Sequence, residues 1–499
     1  MAVSIIRATD LPEQGDYKVK WIDVIKNITD IPENEELNNI KIEGINEKST
    51  DIEKGHVFVA IEGYEKDGHS YINHVVEQGA AVVVGQKPID NLPVPYIQVP
   101  DSRKILGQLA ANFYNHPCKD KLVVGITGTN GKTTTGLLTT HLLRKAGYSV
   151  SFFGTVFNEM NGKRLDSSLT TPSASMIQKF LSESEDDVVV IEVSSQGLQQ
   201  HRMEGMAFDY GLFTNLQHDH LDYHKTIEDY FMAKKKLFSM LKPEGKAIVN
   251  RDNEWGSKLI DLLNEEGKEV LTVSETANAD TRYIFKEKEH SELEINQQRI
   301  KAKAPLPGKY NLLNLSMATT VLHDLGKNMS KLEDMIADLE PIPGRFEVYN
   351  LTESVKGIVD YAHTAEALEA VLSTINSNYP EYRLTHVFGF RGKRDESKRQ
   401  NMVNTSEKFC DRTILTIDDL NGVKEEDMKA AYTELLEPFT SGEADIIMDR
   451  TEAISKLFAE ADGPTIILVT GKGHEKYKQA FTLPVQSDKE AFVYLSDQA

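Results

Sequence analysis

Val123-Val124-Gly125-Ile126-Thr127-Gly128-Thr129-Asn130-Gly131-Lys132-Thr133-Thr134-Thr135 is an apolar, β-branched run that stops at a glycine turn. It passes into an amphipathic pattern carried by Leu137, Leu138, Leu142 and Leu143. That order predicts strand, tight turn, helix. The amide groups of such a turn, with the helix N-terminus behind them, form a ready anion site. Lys132 can reach terminal phosphates, and Thr133 carries a hydroxyl placed to ligate Mg²⁺. The usual phosphate-loop spacing is broken once, because Ile126 stands where the first glycine belongs. An isolated Gly-Lys-Thr can be an ordinary turn, but its place between a strand and a helix favours phosphate binding.

A chain of 499 residues is too long for one core, so three domains of ordinary size are expected. Apolar content of 40% supports burial. A net charge of −21 argues against nucleic acid as a partner, so positive charge for a phosphate must be concentrated locally. Cys118 and Cys410 lie far apart and suggest no disulfide framework, which fits a reducing compartment. No apolar run approaches the ~18 residues of a membrane span, and the N-terminus has no signal-like apolar stretch. A soluble cytoplasmic protein that works as a monomer, with no membrane partner, is the expectation.

Along the chain, residues 1–118 read as a small α/β domain. Its strand signals are Val57–Ile61 and Ala80–Val84, its helix is Tyr71–Gln78, and its polar loop is Glu62–His69. Residues 119–342 alternate strand and helix, the pattern of a mostly parallel sheet covered on both faces. The expected strands are Leu122–Ile126, Val188–Val193, Tyr210–Thr214, Ala247–Asn250 and Val270–Val273. Pro341-Ile342-Pro343-Gly344-Arg345 reads as a hinge. Residues 343–499 restart the alternation at Ile358–Tyr361, Thr385–Phe390, Thr413–Ile417, Asp445–Met448 and Thr465–Val469.

Function in such sheets gathers at the C-terminal ends of strands. Glu192 closes the run Val188-Val189-Val190-Ile191, where a carboxylate is either a metal ligand or a charge in need of a costly partner. A phosphate turn in the same sheet favours Mg²⁺. His218, Asp219, His220, Asp222 and His224 form a dense polar patch that, taken alone, also suits zinc. Magnesium needs only one or two protein ligands, and His220 can complete such a site while its neighbours cap helices or face solvent.

The glycine turn, Glu192-Val193-Ser194-Ser195 and Asp219-His220-Leu221-Asp222-Tyr223-His224 together resemble the Mur ligase family. The likeness continues through Thr170-Thr171-Pro172, Pro343-Gly344-Arg345-Phe346-Glu347, Asp360-Tyr361-Ala362-His363-Thr364 and Gly471-Lys472-Gly473-His474-Glu475, over nearly the whole chain. Such enzymes are ATP-dependent amide-forming ligases of cell-wall precursor synthesis. The nearest likeness is to members that add the third residue to UDP-N-acetylmuramoyl-L-alanyl-D-glutamate, using a free diamino acid. The resemblance implies a UDP-sugar-binding N-terminal domain, a central ATP-binding domain of phosphate-loop type and a Rossmann-like C-terminal domain for the amino acid. Gly128, Thr129, Asn130, Gly131, Lys132, Thr133 and Thr134 would hold ATP, with Asn311, Asn314, Arg345 and Asp360. Thr133, Glu192 and His220 would surround two Mg²⁺ ions. Lys234, in Ala233-Lys234-Lys235-Lys236, matches a lysine that CO₂ converts to a metal-binding carbamate. Three adjacent lysines leave the register open, and the spacing to Tyr230 and Leu237-Phe238 favours Lys234. Ser49, Thr170, Thr171, Ser194, Gln200 and Arg202 match contacts to the UDP-sugar peptide. Arg394, Gly471 and Glu475 match residues that hold the incoming amino acid.

Three departures stand out. Family members that use diaminopimelate carry Asp-Asn-Pro-Arg, whose arginine pairs with the distal carboxylate. This chain has Asp418-Asp419-Leu420-Asn421, two acids and no donor fork, which suits the distal ammonium of lysine. Lys48-Ser49-Thr50 replaces Asp-Ser-Arg, and Gln196 replaces a histidine. These leave open diaminopimelate as the amino acid, or a paralogue with another acceptor. A folylpolyglutamate-type ligase is countered by the full N-terminal domain and Thr170-Thr171-Pro172. A non-catalytic nucleotide-binding regulator is countered by Lys132, Glu192 and Lys234.

Overall fold

Val188–Glu192 and Leu122–Thr127 lie side by side at the centre of a sheet, because continuous apolar runs, here closed by Glu192 and Thr127, need cover on both faces. The computed structural model describes residues 18–498 except 64–65, 168, 287–290, 303–305 and 441. Among them, eleven strands make the central sheet, in the order Lys163–Leu165, Asn158–Met160, Val150–Phe153, Val188–Glu192, Leu122–Thr127, Phe208–Phe213, Leu241–Asn250, Glu269–Ser274, Thr281–Ile284, Ser291–Ile295 and Gln298–Ala302. Neighbours from Val150–Phe153 to Thr281–Ile284 are parallel.

Side chains of adjacent residues point to opposite faces. Val124 and Ile126 pack with Leu138 and Leu142 of helix Lys132–Lys145 and Leu315 of helix Lys309–Asp324. Val123 and Ile191 pack on the other face with Ile177 of helix Ala174–Glu183 and Phe238 of helix Ile227–Ser239. The strand–helix alternation expected up to residue 342 stops earlier. Thr281–Ile284, Ser291–Ile295 and Gln298–Ala302 form an antiparallel ribbon instead. Its inward residues Leu293, Ile295 and Ile300 alternate with Glu292, Glu294 and Arg299, and Asn296 and Gln297 turn the chain at φ 48° and 65°. That is period-two patterning with a left-handed two-residue turn, a hairpin signal.

A six-stranded sheet follows in the order Glu347–Asn350, Val355–Val359, Thr465–Val469, Arg383–Phe388, Arg412–Leu415 and Glu443–Ile446, parallel except for the first pair. Near the start of the chain, Gly44–Asn46, His56–Val59, Val82–Gly85 and Tyr96–Gln98 form a parallel four-stranded sheet. No described helix is long and apolar enough to cross a membrane. The strand ends after Thr127, Glu192 and Phe213 meet the ends of the six-stranded sheet, and the candidate site lies there.

Candidate active site

Helix Lys132–Lys145 begins at Gly131 with no side-chain cap, which leaves its first amide groups to the turn. Gly128 sits at φ 151°, and a Cβ there would lie 1.9 Å from Thr214 Oγ1, so the turn admits no other residue. Thr214 Oγ1 donates to the Asn130 carbonyl (2.6 Å), and Asn215 Oδ1 accepts from the Asn130 amide (3.0 Å). Thr134 is buried in the first helical turn, and the Thr135 hydroxyl donates to Asn314 Oδ1 (3.2 Å). Asn311 Nδ2 donates to the Pro307 carbonyl (2.7 Å) from the same helix as Asn314. The turn is thus held by hydrogen bonds from several neighbouring elements.

Two lysines converge on the turn. Lys132 Nζ donates to the carbonyls of Gly128 and Thr129, both at 3.0 Å. Lys234 Nζ donates to the same Gly128 carbonyl at 2.7 Å and lies 4.4 Å from the Tyr230 ring centroid. Burial, then the neighbouring Lys132 charge, holds the Lys234 ammonium well below the usual lysine range. Lys235 pairs with Glu266, and Lys236 donates to Gln199 Oε1 (3.0 Å), both at the surface. The helical period thus turns one lysine of the three inward.

Glu192 is fully buried. Its Oε2 accepts from the hydroxyls of Thr133 (3.0 Å) and Thr155 (2.9 Å), and its Oε1 from the Thr155 amide (2.9 Å). No salt bridge reaches it among the described residues. A buried carboxylate satisfied only by neutral donors is costly, and this one fits a divalent cation beside Thr133. His220 lies nearby at φ 56°, its imidazole pushed down to about 3 by desolvation, then by Lys234, against the opposing pull of Asp219, so it is neutral near pH 7. A neutral imidazole keeps the lone pair a metal needs. For the zinc alternative, no set of three His, Cys, Asp or Glu close enough to hold a metal occurs among the described residues. His224 is instead tied to Ser195 Oγ (2.9 Å) and stacked on Tyr230.

Beside Glu192, Thr170, Thr171, Ser194, Gln200 and Arg202 form one cluster. The Thr171 hydroxyl donates to the Glu192 carbonyl (2.9 Å), and the Ser194 hydroxyl lies 3.0 Å from the Thr171 oxygen. Arg202 donates to the Thr171 carbonyl (2.9 Å) and to Gln200 Oε1 (2.7 Å), and the Thr170 hydroxyl lies 3.2 Å from Thr155 Oγ1. Ser49 opens a short turn, Ser49–Asp51, and makes no hydrogen bond to these residues.

The six-stranded sheet closes over the turn. Arg345 donates to Thr133 Oγ1 (3.2 Å) and lies over the Tyr361 ring at 4.4 Å. Asp360 is buried and accepts from the amides of Phe346 (2.8 Å) and Ala362 (2.7 Å), its carboxyl raised by desolvation against the pull of Arg345. Asn130 Nδ2 donates to Thr364 Oγ1 (3.1 Å). Asp219 receives Lys398 (2.7 Å) and His363 (3.3 Å), and Arg394 stands 4.0 Å from Asp222. The sequence reading missed Thr155, His363 and Lys398. Thr155 could have been found, because it closely follows the strand Val150–Phe153 on the functional edge of the sheet.

The two acids taken as available for a substrate ammonium are not so. Asp419 receives Lys478 (2.7 Å) and lies 3.0 Å from Arg391, while Asp418 pairs with the buried Lys472 (3.0 Å). The sequence showed the acids but not the cations, because Arg391 and Lys478 come from two other loops. Glu475 accepts from the Tyr361 hydroxyl (3.2 Å), and a Cβ on Gly471 would lie 3.3 Å from Asp418 Oδ2.

Comparison with known proteins finds three family profiles along the chain. They are described as Mur ligase family, catalytic domain (residues 41–114), Mur ligase middle domain (126–322) and Mur ligase, glutamate ligase domain (344–473). The UDP-N-acetylmuramoyl-L-alanyl-D-glutamate--2,6-diaminopimelate ligase 1 of Clostridium acetobutylicum is 33% identical over 465 residues, 91% of this chain and 94% of that protein. A ligase of the same activity from Cytophaga hutchinsonii is 36% identical over 446 residues, 86% of this chain and 89% of its own. A solved UDP-N-acetylmuramoyl-L-alanyl-D-glutamate--2,6-diaminopimelate ligase superposes with a TM-score of 0.68 at 26% identity, over 96% of this chain and 99% of that one.

Proposed function

The chain belongs to the Mur ligase family, and from that premise we propose that it adds the third amino acid, a diamino acid, to UDP-N-acetylmuramoyl-L-alanyl-D-glutamate in the cytoplasm. It is an ATP-dependent ligase that forms a C–N bond. The observation that carries the reading is the meeting of Lys132 and Lys234 on the Gly128 carbonyl, with Glu192 and Arg345 meeting on Thr133.

A carboxylate is a poor acyl donor at neutral pH. Its oxygen attacks the γ-phosphorus of ATP, and ADP leaves with the electron pair of the broken P–O bond. The amine of the amino acid then attacks the acyl carbon, phosphate departs, and the amine loses its proton. Lys132 and Arg345 neutralise the phosphate charge that grows in the first step. Thr171, Ser194, Gln200 and Arg202 hold the dipeptide beside Glu192, and Arg394, Gly471 and Glu475 hold the amino acid. Thr133, Glu192, His220 and a carbamate on Lys234 would hold Mg²⁺, which supplies further charge neutralisation when bound. Contacts such as Asn130–Thr364 and Arg345–Thr133 bring the two larger sheets together and exclude water.

The sequence argument for lysine rests on two available acids, and both are paired. The first reading is therefore a diamino acid with a second carboxylate, as the relatives' names state. Lysine is the second reading, favoured by Asp418 Oδ2 turning toward Gly471. Phosphate release from ATP with the UDP-dipeptide and a panel of amino acids tests this reading. Release that requires both the dipeptide and a diamino acid supports it; release with neither, or with none, refutes it.

A further inference from the structure

Position 421 carries no cation, and the loop around it is closed on itself. Asn421 Nδ2 donates to the Gly392 carbonyl (2.8 Å), and the Asn421 amide donates to Asp419 Oδ1 (3.0 Å). The loop from 389 to 394 lies flush against the loop from 416 to 421. The Gly392 amide donates to the Asp419 carbonyl (2.8 Å), and a Cβ on Gly392 would come within 2.1 Å of the Leu420 carbonyl oxygen. Only glycine lets the two backbones meet that closely.

This contact carries Arg391 onto Asp419. Arg391 Nε stands 3.0 Å from Asp419 Oδ2 without the alignment of a hydrogen bond, and it is buried with no other partner. Lys478 Nζ takes the same oxygen at 2.7 Å. The terminal nitrogens of Arg391 make no hydrogen bond among the described residues, and its side chain is 36% exposed. One carboxylate thus faces two cations. Asp418 adds no free negative charge, because Lys472 balances it. Among Arg391, Lys472, Lys478, Asp418 and Asp419 the positive charges exceed the negative by one, and that excess is borne on a planar group with parallel donors to spare; Glu475, bonded to the Tyr361 hydroxyl, remains for the amino group.

We propose that Arg391, steadied by Asp419 with Lys478, is the specificity-determining residue that reads the distal end of the amino acid and selects a carboxylate there. The inference rests on the ligase reading above. A guanidinium whose Nε faces Asp419 still offers its two terminal nitrogens as a fork for a second carboxylate. A distal ammonium at the same place would meet like charges from Arg391 and Lys478. Arg394, three residues further along the same loop, remains for the α-carboxylate, so one loop reads both acidic ends.

The test compares meso-diaminopimelate with lysine in wild type, Arg391→Gln and Arg391→Lys by phosphate release with ATP and the UDP-dipeptide. Wild type is expected to prefer diaminopimelate. Arg391→Gln should raise KM for diaminopimelate by about tenfold or more, with kcat and the KM for ATP nearly unchanged and the KM for lysine unchanged or lower. Arg391→Lys should recover part of the loss, which a merely structural role would not distinguish by substrate. Turnover of diaminopimelate with a KM indifferent to residue 391, or equal losses for both amino acids, overturns the assignment alone. Wild-type preference for lysine overturns it as well. No amino-acid-dependent phosphate release at all overturns the ligase reading, and the assignment with it.

Discussion

Lys132 and Lys234 donate to one carbonyl oxygen, that of Gly128, at 3.0 and 2.7 Å. Two ammonium groups that close are costly to charge together, and the fully enclosed one yields first. An uncharged amine is the form that adds CO₂, which is the form the proposed carbamate on Lys234 would need. Lys234→Ala should lose most activity and regain part of it with added formate or acetate, while Lys235→Ala and Lys236→Ala keep nearly all. A ranking that makes Lys235 or Lys236 the sensitive position would refute the register.

The same burial predicts a stability effect with a definite sign. In the unfolded chain the lysine keeps its proton up to its ordinary value of 10.5; in the folded chain it gives the proton up well below that. The unfolded state therefore binds more protons in between, and stability rises with pH across that window. Lys234→Met should be more stable than wild type in CO₂-free buffer, by an amount that shrinks as pH rises toward the lysine value, at no more than about 1.4 kcal/mol per pH unit. Urea unfolding at two pH values decides it; a gain that grows with pH would contradict the buried neutral amine.

Lys132→Ala should abolish turnover. Lys132 is the cation of the turn itself, and Lys234 is fixed on the Gly128 carbonyl. A folded variant that kept more than about a tenth of wild-type activity, within roughly 1.4 kcal/mol of the barrier, would show that the γ-phosphate lies elsewhere.

Glu192→Gln separates stability from function. The carboxylate is buried among neutral donors from Thr133 and Thr155, so a neutral amide can keep hydrogen bonds of similar geometry without the buried charge. Tm should hold or rise, while activity falls at least about a hundredfold and ceases to respond to added Mg²⁺. Unchanged activity would remove Glu192 from the metal site.

The fold was legible where one residue run answers to one element. Leu122–Thr127, Val188–Glu192 and Thr465–Val469 are continuous apolar runs with a polar residue only at one end, flanked by turn chemistry, and the structure has strands there. The ribbon from Thr281 to Ala302 was missed because its signal is a change of period, from the continuous apolar runs of a buried parallel sheet to alternation. The nucleotide turn could be read locally, since its chemistry sits on consecutive residues. The amino-acid end could not, because its charge balance is set by loops far apart in sequence. Arg391 and Lys478 decide what Asp419 can do, and neither is near it in the chain. For Lys234 the spacing to Tyr230 and Leu237-Phe238 already pointed the right way in the sequence, and the direction each lysine takes from the helix buries it while Lys235 and Lys236 face the surface.

The buried pair Arg450–Asp488 gives the last prediction. Both side chains are fully enclosed, with Arg450 Nε 2.7 Å and Nη2 2.9 Å from the two oxygens of Asp488. Arg450 Nη2 also donates to the Thr470 carbonyl (2.8 Å), and the Tyr477 hydroxyl donates to Asp488 (2.8 Å). The pair therefore clamps both sides of Gly471-Lys472-Gly473-His474-Glu475, the loop assigned to the amino acid. Removing one partner leaves the other charge buried and uncompensated, a loss of about 3–5 kcal/mol, whereas replacing both with apolar residues of similar volume costs far less. Asp488→Asn should lower stability by that order, and the joint Arg450→Met and Asp488→Leu change by much less. Because the clamp holds the loop and not the phosphate turn, the joint variant should raise KM for the amino acid several-fold and leave KM for ATP close to wild type. Urea unfolding and steady-state kinetics on the two variants measure both effects. Equal changes in the two KM values would mean that the clamp serves the whole domain and not the amino-acid loop.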